Sequence, residues 1–213
     1  MSPEHPITPI PVHDGKLGLC GCPGVGGALA GRSRPDAGLD ALARWRAGAV
    51  VTLMESRELE MLGLEILPEA CRERFGAWLH LPIRDCDIPG PGWMEGWQMA
   101  RLVIAALLSE GDNVAVHCLA GVGRTGTVAS MLLVDAGFGT GRQALEHVRG
   151  MHNIHAAETP EQEAFVERYQ PAFTLDRQSA HHRLAEATAA AGLEPVINEG
   201  GRVDRERAVR LVG

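Results

Sequence analysis

One short stretch of the chain carries three signals that together restrict its fold. Residues 114–118 (VAVHC) are apolar except for His117, the residues after them include two glycines, and a Thr-Gly pair follows at 125–126. A short apolar run bounded by turn residues is typical of a strand that is buried on both faces. The stretch therefore predicts a buried strand, a tight loop and the start of a helix, in that order.

Strands and helices alternate elsewhere in the chain. Apolar runs at residues 49–54 and 78–83 predict two more strands, and the Pro- and Gly-rich residues 1–35 predict short strands and loops, with a turn at 24–27. Helical patterns fill the intervals, at residues 36–47, 55–62, 68–77, 93–110, 127–136, 141–149 and 160–169. This alternation predicts an α/β fold, with a central, mostly parallel sheet flanked by helices.

Composition restricts the partners of the chain. A formal net charge of −7 argues against nucleic acid held on a broad basic surface. No apolar run approaches the roughly 20 residues that span a bilayer, and no basic start followed by an apolar stretch marks a secretory signal. The five cysteines have neither disulfide-framework nor zinc-site spacing. We therefore expect a cytoplasmic protein with no metal, cofactor, membrane or nucleic-acid partner, and the oligomeric state stays open.

The loop after residue 118 has the composition of an anion site. Glycines let successive backbone N–H groups turn inward, and the start of the following helix adds unpaired N–H groups. Arg124 can bind two oxygens of one phosphate through its planar fork. The predicted phosphate-binding residues are Leu119, Ala120, Gly121, Val122, Gly123 and Arg124.

Cys118 stands at the floor of this predicted site. The field of the loop favours its thiolate, which can attack phosphorus while the N–H groups and Arg124 stabilise the transferring oxygens. The Thr125 hydroxyl can donate to the sulfur and improve it as a leaving group, and His117 is better suited to ordering the loop than to acting as a base. A buried structural cysteine, with Arg124 paired to an acid elsewhere, is the alternative interpretation.

The run HCLAGVGRTG at residues 117–126 resembles the signature loop of the protein tyrosine phosphatase superfamily, His-Cys-x-x-Gly-x-x-Arg-Thr-Gly. The size and layout of the chain are similar to the small dual-specificity branch. Residues 19–24, 53–59 and 81–85 resemble segments of the kinase-associated phosphatase group. The resemblance covers about residues 8–172 and implies the cysteine-phosphatase fold, with catalysis through a phosphocysteine intermediate.

The resemblance also implies a general acid about thirty residues before the cysteine, because expelling a substrate oxygen requires a proton. Asp85 matches the family pattern Pro-Ile-x-Asp and is preferred, with Asp87 as the alternative. Gln162 resembles the family residue that positions water for hydrolysis of the phosphocysteine. Cys86 lies between the two acids and is a candidate disulfide partner of Cys118 under oxidation.

The composition of the loop also predicts the class of substrate. The loop contains none of the lysines that family members acting on phosphoinositides carry. We therefore expect a phosphorylated protein or peptide as substrate, phosphotyrosine first, with phosphoserine and phosphothreonine as further candidates. A non-protein monoester (lipid, sugar or RNA 5′ phosphate) and a non-catalytic phosphate-binding module are the alternatives. We expect a phosphatase domain at residues 1–174 and a helical extension of unassigned role at 175–213.

Overall fold

A five-stranded sheet forms the centre of the structure, a computed structural model that describes residues 5–25, 35–198 and 200–212. The strands are β1 (Thr8–Val12), β2 (Gly15–Cys20), β3 (Ala47–Thr52), β4 (Ala77–His80) and β5 (Asn113–His117). They lie in the order β1-β2-β5-β3-β4, and β1 is the strand that runs antiparallel to its neighbour. The predicted α/β class with a mostly parallel sheet is confirmed.

Helices cover both faces of this sheet. In the described part of the chain they are α1 (Pro35–Arg44), α2 (Ser56–Met61), α3 (Leu67–Arg74), α4 (Pro91–Ser109), α5 (Gly123–Asp135), α6 (Gly141–Met151), α7 (Pro160–Arg168), α8 (Ser179–Ala190) and α9 (Arg205–Val212). Alternate residues of β5 belong to two apolar clusters: Val114 and Val116 pack in the cluster that includes α4 and α5, and Ala115 packs in the cluster that includes α1 to α3. Burial on both faces explains why the three central residues of β5, Val114, Ala115 and Val116, are all apolar.

Several boundaries differ from the sequence predictions. α1 ends at Arg44 rather than near residue 47, because Arg46 takes a left-handed conformation (φ 62°) that turns the chain into β3. α5 begins at Gly123, close to the helix start predicted at the end of the stretch 114–126 and four residues before the helical pattern at 127–136, so Arg124 lies in its first turn. The strand predicted at 78–83 ends at His80. The predicted turn at 24–27 lies partly outside the described residues.

A buried polar network joins the helices on one side of the sheet. Arg101 of α4 and Asp135 of α5 form an ion pair with a 2.7 Å N–O distance, and both side chains are almost fully buried. The Tyr169 hydroxyl donates to Asp135 at 2.9 Å and accepts from the Trp97 indole N–H at 2.9 Å. This network fixes α4 and α5 to the chain that follows α7.

The C-terminal segment packs against the rest of the fold. α8 lies on α4, and α9 contacts β4 and α4, with Leu184 and Ala208 buried in the larger apolar cluster. Arg205 contacts both carboxylate oxygens of Asp112, at 2.7 and 2.5 Å. α9 was not predicted, because its sequence is dominated by charged residues. The domain limit at residue 174 stays a prediction.

The described residues contain neither a membrane-spanning helix nor a metal-binding cluster. None of their helices is both long and apolar enough to cross a membrane. No group of three or more His, Cys, Asp or Glu side chains among the same residues is arranged to hold a metal ion.

Candidate active site

The phosphate loop follows the central strand of the sheet. Cys118 comes directly after β5, its side chain is buried, and α5 begins five residues later. Gly121 has a φ of 77°, and a Cβ atom there would collide with the Cys20 carbonyl, so glycine is required for both reasons. The loop is tied to the end of β2 by a 3.0 Å hydrogen bond from the Cys22 N–H to the Leu119 carbonyl.

The Arg124 guanidinium is buried beside this loop and is held by two acids. Its Nη1 donates to Glu58 Oε2 at 2.7 Å and to the Ile83 carbonyl at 3.0 Å, while Nη2 donates to Glu58 Oε1 at 2.9 Å. Asp85 Oδ1 also lies 2.8 Å from Nη2. Nε is buried and has no hydrogen-bond partner among the described residues. The fork is therefore fixed in place, with one donor still available.

Glu58 was not predicted as a site residue. It lies in α2, which begins four residues after the end of β3, and it also accepts a hydrogen bond from the Glu55 N–H at 2.7 Å. Burial opposes its ionisation, but the hydrogen bonds from Arg124 and Glu55 outweigh burial and lower the pKa of Glu58. The resemblance of residues 53–59 to the kinase-associated phosphatases was the one sequence signal at this position.

The two candidate acids occupy different positions on the loop between β4 and α4. The Asp85 carboxylate contacts Arg124, whereas the Asp87 carboxylate accepts a 2.8 Å hydrogen bond from the Ile88 N–H of its own loop. Cys86 lies between them, exposed and in a left-handed conformation (φ 58°), and the Asp85 charge raises the pKa of its thiol. This geometry brings Asp85, and not the Asp87 side chain, to the arginine.

His117 belongs to a row of hydrogen bonds across the sheet. Burial lowers its pKa to about 4, so the ring is neutral near pH 7. Its Nδ1 lies 3.3 Å from the Cys118 carbonyl, which can only accept, so Nδ1 carries the proton. Nε2 then accepts from the Thr52 hydroxyl at 2.8 Å, and Thr52 accepts from the Trp78 indole at 3.0 Å. Both ring nitrogens of His117 are therefore engaged in hydrogen bonds, and its loop-ordering role stays a prediction.

Gln162 and Thr125 are both buried near the loop. The Gln162 N–H is capped by the Thr159 hydroxyl at 3.1 Å, and its Nε2 donates to the Asp87 carbonyl at 3.0 Å. Its Oε1 is buried with no hydrogen-bond partner in the described part of the chain. The Thr125 hydroxyl is likewise unpartnered there, so its predicted bond to the sulfur is not formed in this structure.

The family of the chain can now be stated. A cysteine after the central parallel strand, a glycine-containing loop and an arginine in the next helix define a phosphatase of the dual-specificity and tyrosine phosphatase fold. A family model described as Tc-R-P, polymorphic toxin system, DSP-PTPase phosphatase, matches residues 25–138, just over half of the chain, and the chain belongs to this family. This family places the chain in the dual-specificity and tyrosine phosphatase superfamily.

Solved structures confirm the fold. A kinase associated phosphatase with its catalytic cysteine changed to serine superposes with a TM-score of 0.67 at 20% identity, covering 77% of this chain and 93% of that one. Tk-PTP in its active form has 29% identity and a TM-score of 0.52, with 73% and 94% coverage. PTPMT1 in complex with PI(5)P has 17% identity and a TM-score of 0.55, with 86% and 98% coverage. The predicted resemblance to small dual-specificity phosphatases is confirmed.

Curated relatives cover a smaller part of the chain. Two uncharacterized proteins of Methanocaldococcus jannaschii are each 38% identical over 91 residues, which is 43% of this chain. The match spans 58% of one relative and 54% of the other.

Proposed function

We propose that the chain is a phosphoprotein phosphatase that hydrolyses phosphotyrosine, and also phosphoserine and phosphothreonine, through a phosphocysteine intermediate at Cys118. The observation that carries this proposal is the pairing of a buried cysteine after the central strand with a buried arginine held by Glu58 and Asp85. Leu119, Ala120, Gly121, Val122, Gly123 and Arg124 would bind the substrate phosphate.

In the first step the Cys118 thiolate attacks phosphorus. A sulfur–phosphorus bond forms, and the bond between phosphorus and the substrate oxygen breaks. The leaving oxygen takes a proton from Asp85, which lies beside Arg124 and is more than half exposed at the mouth of the site. Arg124 and the loop N–H groups stabilise the charge on the three transferring oxygens.

In the second step water attacks the phosphocysteine. The sulfur–phosphorus bond breaks, the thiolate is restored and inorganic phosphate leaves. Asp85 takes one proton from the water, and the unpartnered Oε1 of Gln162 accepts a hydrogen bond from it. The unpartnered hydroxyl of Thr125 is available to donate to the departing sulfur.

The charges around the site favour a single phosphate group. The loop carries no lysine, and the neighbouring cavity of about 430 Å³ between α6 and α7 offers no unpaired arginine among the described residues. Arg142 pairs with Glu167 at 2.7 Å, and Arg149 pairs with Glu163 at 2.9 Å. A second phosphate would have to break one of these pairs.

The predicted cytoplasmic location belongs with this proposal. All five cysteines are free, and four of them are buried, which agrees with a reducing compartment. Burial raises the pKa of Cys22 and Cys71 to about 12, so neither thiol is ionised near pH 7.

Three variants and one substrate panel test the proposal. Cys118→Ser is expected to abolish hydrolysis, and a variant that keeps its activity would refute the nucleophile. Asp85→Ala is expected to lower kcat on phenyl phosphate, a poor leaving group, at least 100-fold, whereas Asp87→Ala is expected to leave it within about threefold. Phosphopeptides should be hydrolysed faster than phosphoinositide, sugar and RNA 5′ phosphates. A preference for any of the latter would overturn the substrate class.

A further inference from the structure

We infer that Gln162 positions the general acid, by holding the backbone of the acid loop, as well as orienting water. This inference rests on the proposed function, because it assigns Gln162 a part in the proton transfer from Asp85. The two roles use different atoms of one amide group and affect different chemical steps, so they can be separated experimentally.

The hydrogen bond to the acid loop fixes the orientation of the amide. The Asp87 carbonyl can only accept, so the Gln162 atom 3.0 Å from it must be the NH₂ group. The opposite atom, Oε1, is then the acceptor, and it is buried without a partner in the described residues. A fully buried amide oxygen is costly to leave unsatisfied, and an oxygen reserved for the hydrolytic water explains this arrangement.

Gln162 is fully buried, whereas the acid loop is exposed. Its side chain is fully buried, and its backbone N–H is capped by Thr159 in the first turn of α7. By contrast, Asp85 and Asp87 are exposed, and Cys86 between them adopts a left-handed conformation that non-glycine residues disfavour. The bond from α7 to the Asp87 carbonyl therefore supports a loop shape that its own sequence does not favour.

This contact places the acid through the backbone. The Asp87 carbonyl is two residues from Asp85, so holding it limits the positions that the Asp85 carboxyl group can take. Loss of the bond lets the loop sample other shapes, and the fraction of molecules with a correctly placed acid falls. A net hydrogen bond of ordinary strength corresponds to a change of about threefold to tenfold in that fraction.

The test compares two aryl phosphates in the full-length protein. The value of kcat/KM reports the first step alone, because phosphocysteine formation is the first irreversible step. Phenyl phosphate needs the acid, whereas p-nitrophenyl phosphate has a good leaving group and needs it little. The measured quantity is the ratio of the two kcat/KM values. Misfolded molecules do not affect this ratio, because they turn over neither substrate.

Three variants make the test specific. Gln162→Leu removes both functions of the amide, and Gln162→Glu keeps an acceptor for water but cannot donate to the Asp87 carbonyl when ionised. Gln143→Leu is the matched control, since Gln143 occupies the same third position of α6 after the capping residue Thr140. Its side chain contacts Thr140 and not the acid loop.

The expected result is a threefold to tenfold fall of the phenyl to nitrophenyl ratio in both Gln162 variants, and no change in Gln143→Leu. In an Asp85→Ala background, Gln162→Leu should lower the ratio no further, because no acid remains to be positioned. An unchanged ratio in Gln162→Leu, with loss confined to the later hydrolysis step, would restrict Gln162 to the water role. Activity that survives Cys118→Ser would instead refute the proposed function itself.

Discussion

The ion pair between Asp85 and Arg124 predicts competition between the general acid and the substrate phosphate. Both N–H groups of Nη1 are used by Glu58 and the Ile83 carbonyl, and Nη2 binds Glu58 and contacts Asp85. A two-pronged grip on phosphate needs two N–H groups, and Nε alone has no partner among the described residues. Phosphate must therefore displace Asp85 from Nη2, so we predict that Asp85→Asn binds oxyanions more tightly while it turns over more slowly.

The size of this effect follows from the exposure of the pair. Arg124 is buried, but the Asp85 side chain is 57% exposed, so water screens the interaction. Pairs of this kind contribute about 0.2 to 1 kcal/mol. If binding must first break the pair, removing it should tighten binding by about 1.5-fold to fivefold.

Sulfate is a suitable probe, because it keeps the same charge throughout the neutral pH range. We would measure its dissociation constant by titration calorimetry in a Cys118→Ser background, which removes the thiolate from the site. Asp85→Asn is compared with Asp87→Asn, which removes the same charge from a carboxylate that contacts Ile88 of its own loop. A gain of about 1.5-fold to fivefold is expected for Asp85→Asn and a smaller one for Asp87→Asn.

Two results would refute this reasoning. If Asp85→Asn bound sulfate no more tightly than its parent, the ion pair would not compete with the ligand. If Asp87→Asn gained as much as Asp85→Asn, the effect would be one of general charge and not of the contact with Arg124.

Three further predictions concern residues that support the site. Glu58→Gln weakens the two hydrogen bonds that hold Arg124, and kcat/KM should fall about tenfold or more. The exposed Glu60→Gln is the control. An equal fall of kcat/KM in both variants would contradict the role of Glu58 in holding Arg124. Arg101→Met leaves Asp135 buried without its cation, so the free energy of unfolding in urea should fall by about 3–5 kcal/mol. A fall below about 1 kcal/mol would show that the Arg101–Asp135 pair does not stabilise the fold. The pKa of His117 is about 4 in the folded chain, against 6.5 when unperturbed. Between these two pH values the unfolded chain therefore binds a proton at His117 that the folded chain does not. The free energy of unfolding should therefore fall by about 2 kcal/mol between pH 7 and pH 5. The His117→Asn variant should lack this fall, and an equal pH dependence of unfolding in the variant and its parent would disprove the role of His117.

The central part of the site was predictable because its signals are local. The apolar strand, the glycines and the helix start lie within 13 consecutive residues, 114–126, and each follows from propensities over a few positions. This stretch alone is enough to place Cys118 and Arg124 beyond the carboxyl end of a parallel strand. α5 begins at Gly123, close to the helix start that this stretch predicts.

The remaining contacts depend on residues that are distant in sequence. Glu58 lies 66 positions from Arg124, and Gln162 lies 75 positions from Asp87, so only the folded sheet and helices bring them together. α9 is stabilised by its contacts with β4 and α4 and by the Arg205–Asp112 pair. Tertiary contacts of this kind leave no periodic signal in the chain.

A row of hydrogen bonds that runs from the Trp78 indole to the Cys118 carbonyl also fixes the direction in which this carbonyl points. Each member donates in the same direction, from the indole to the Thr52 hydroxyl, to the His117 ring and then to the carbonyl. A carbonyl that is engaged on the side of the sheet is not free to rotate toward the anion, where its negative end would repel phosphate. A tryptophan two strands away thus helps to determine which end of a peptide dipole faces the substrate.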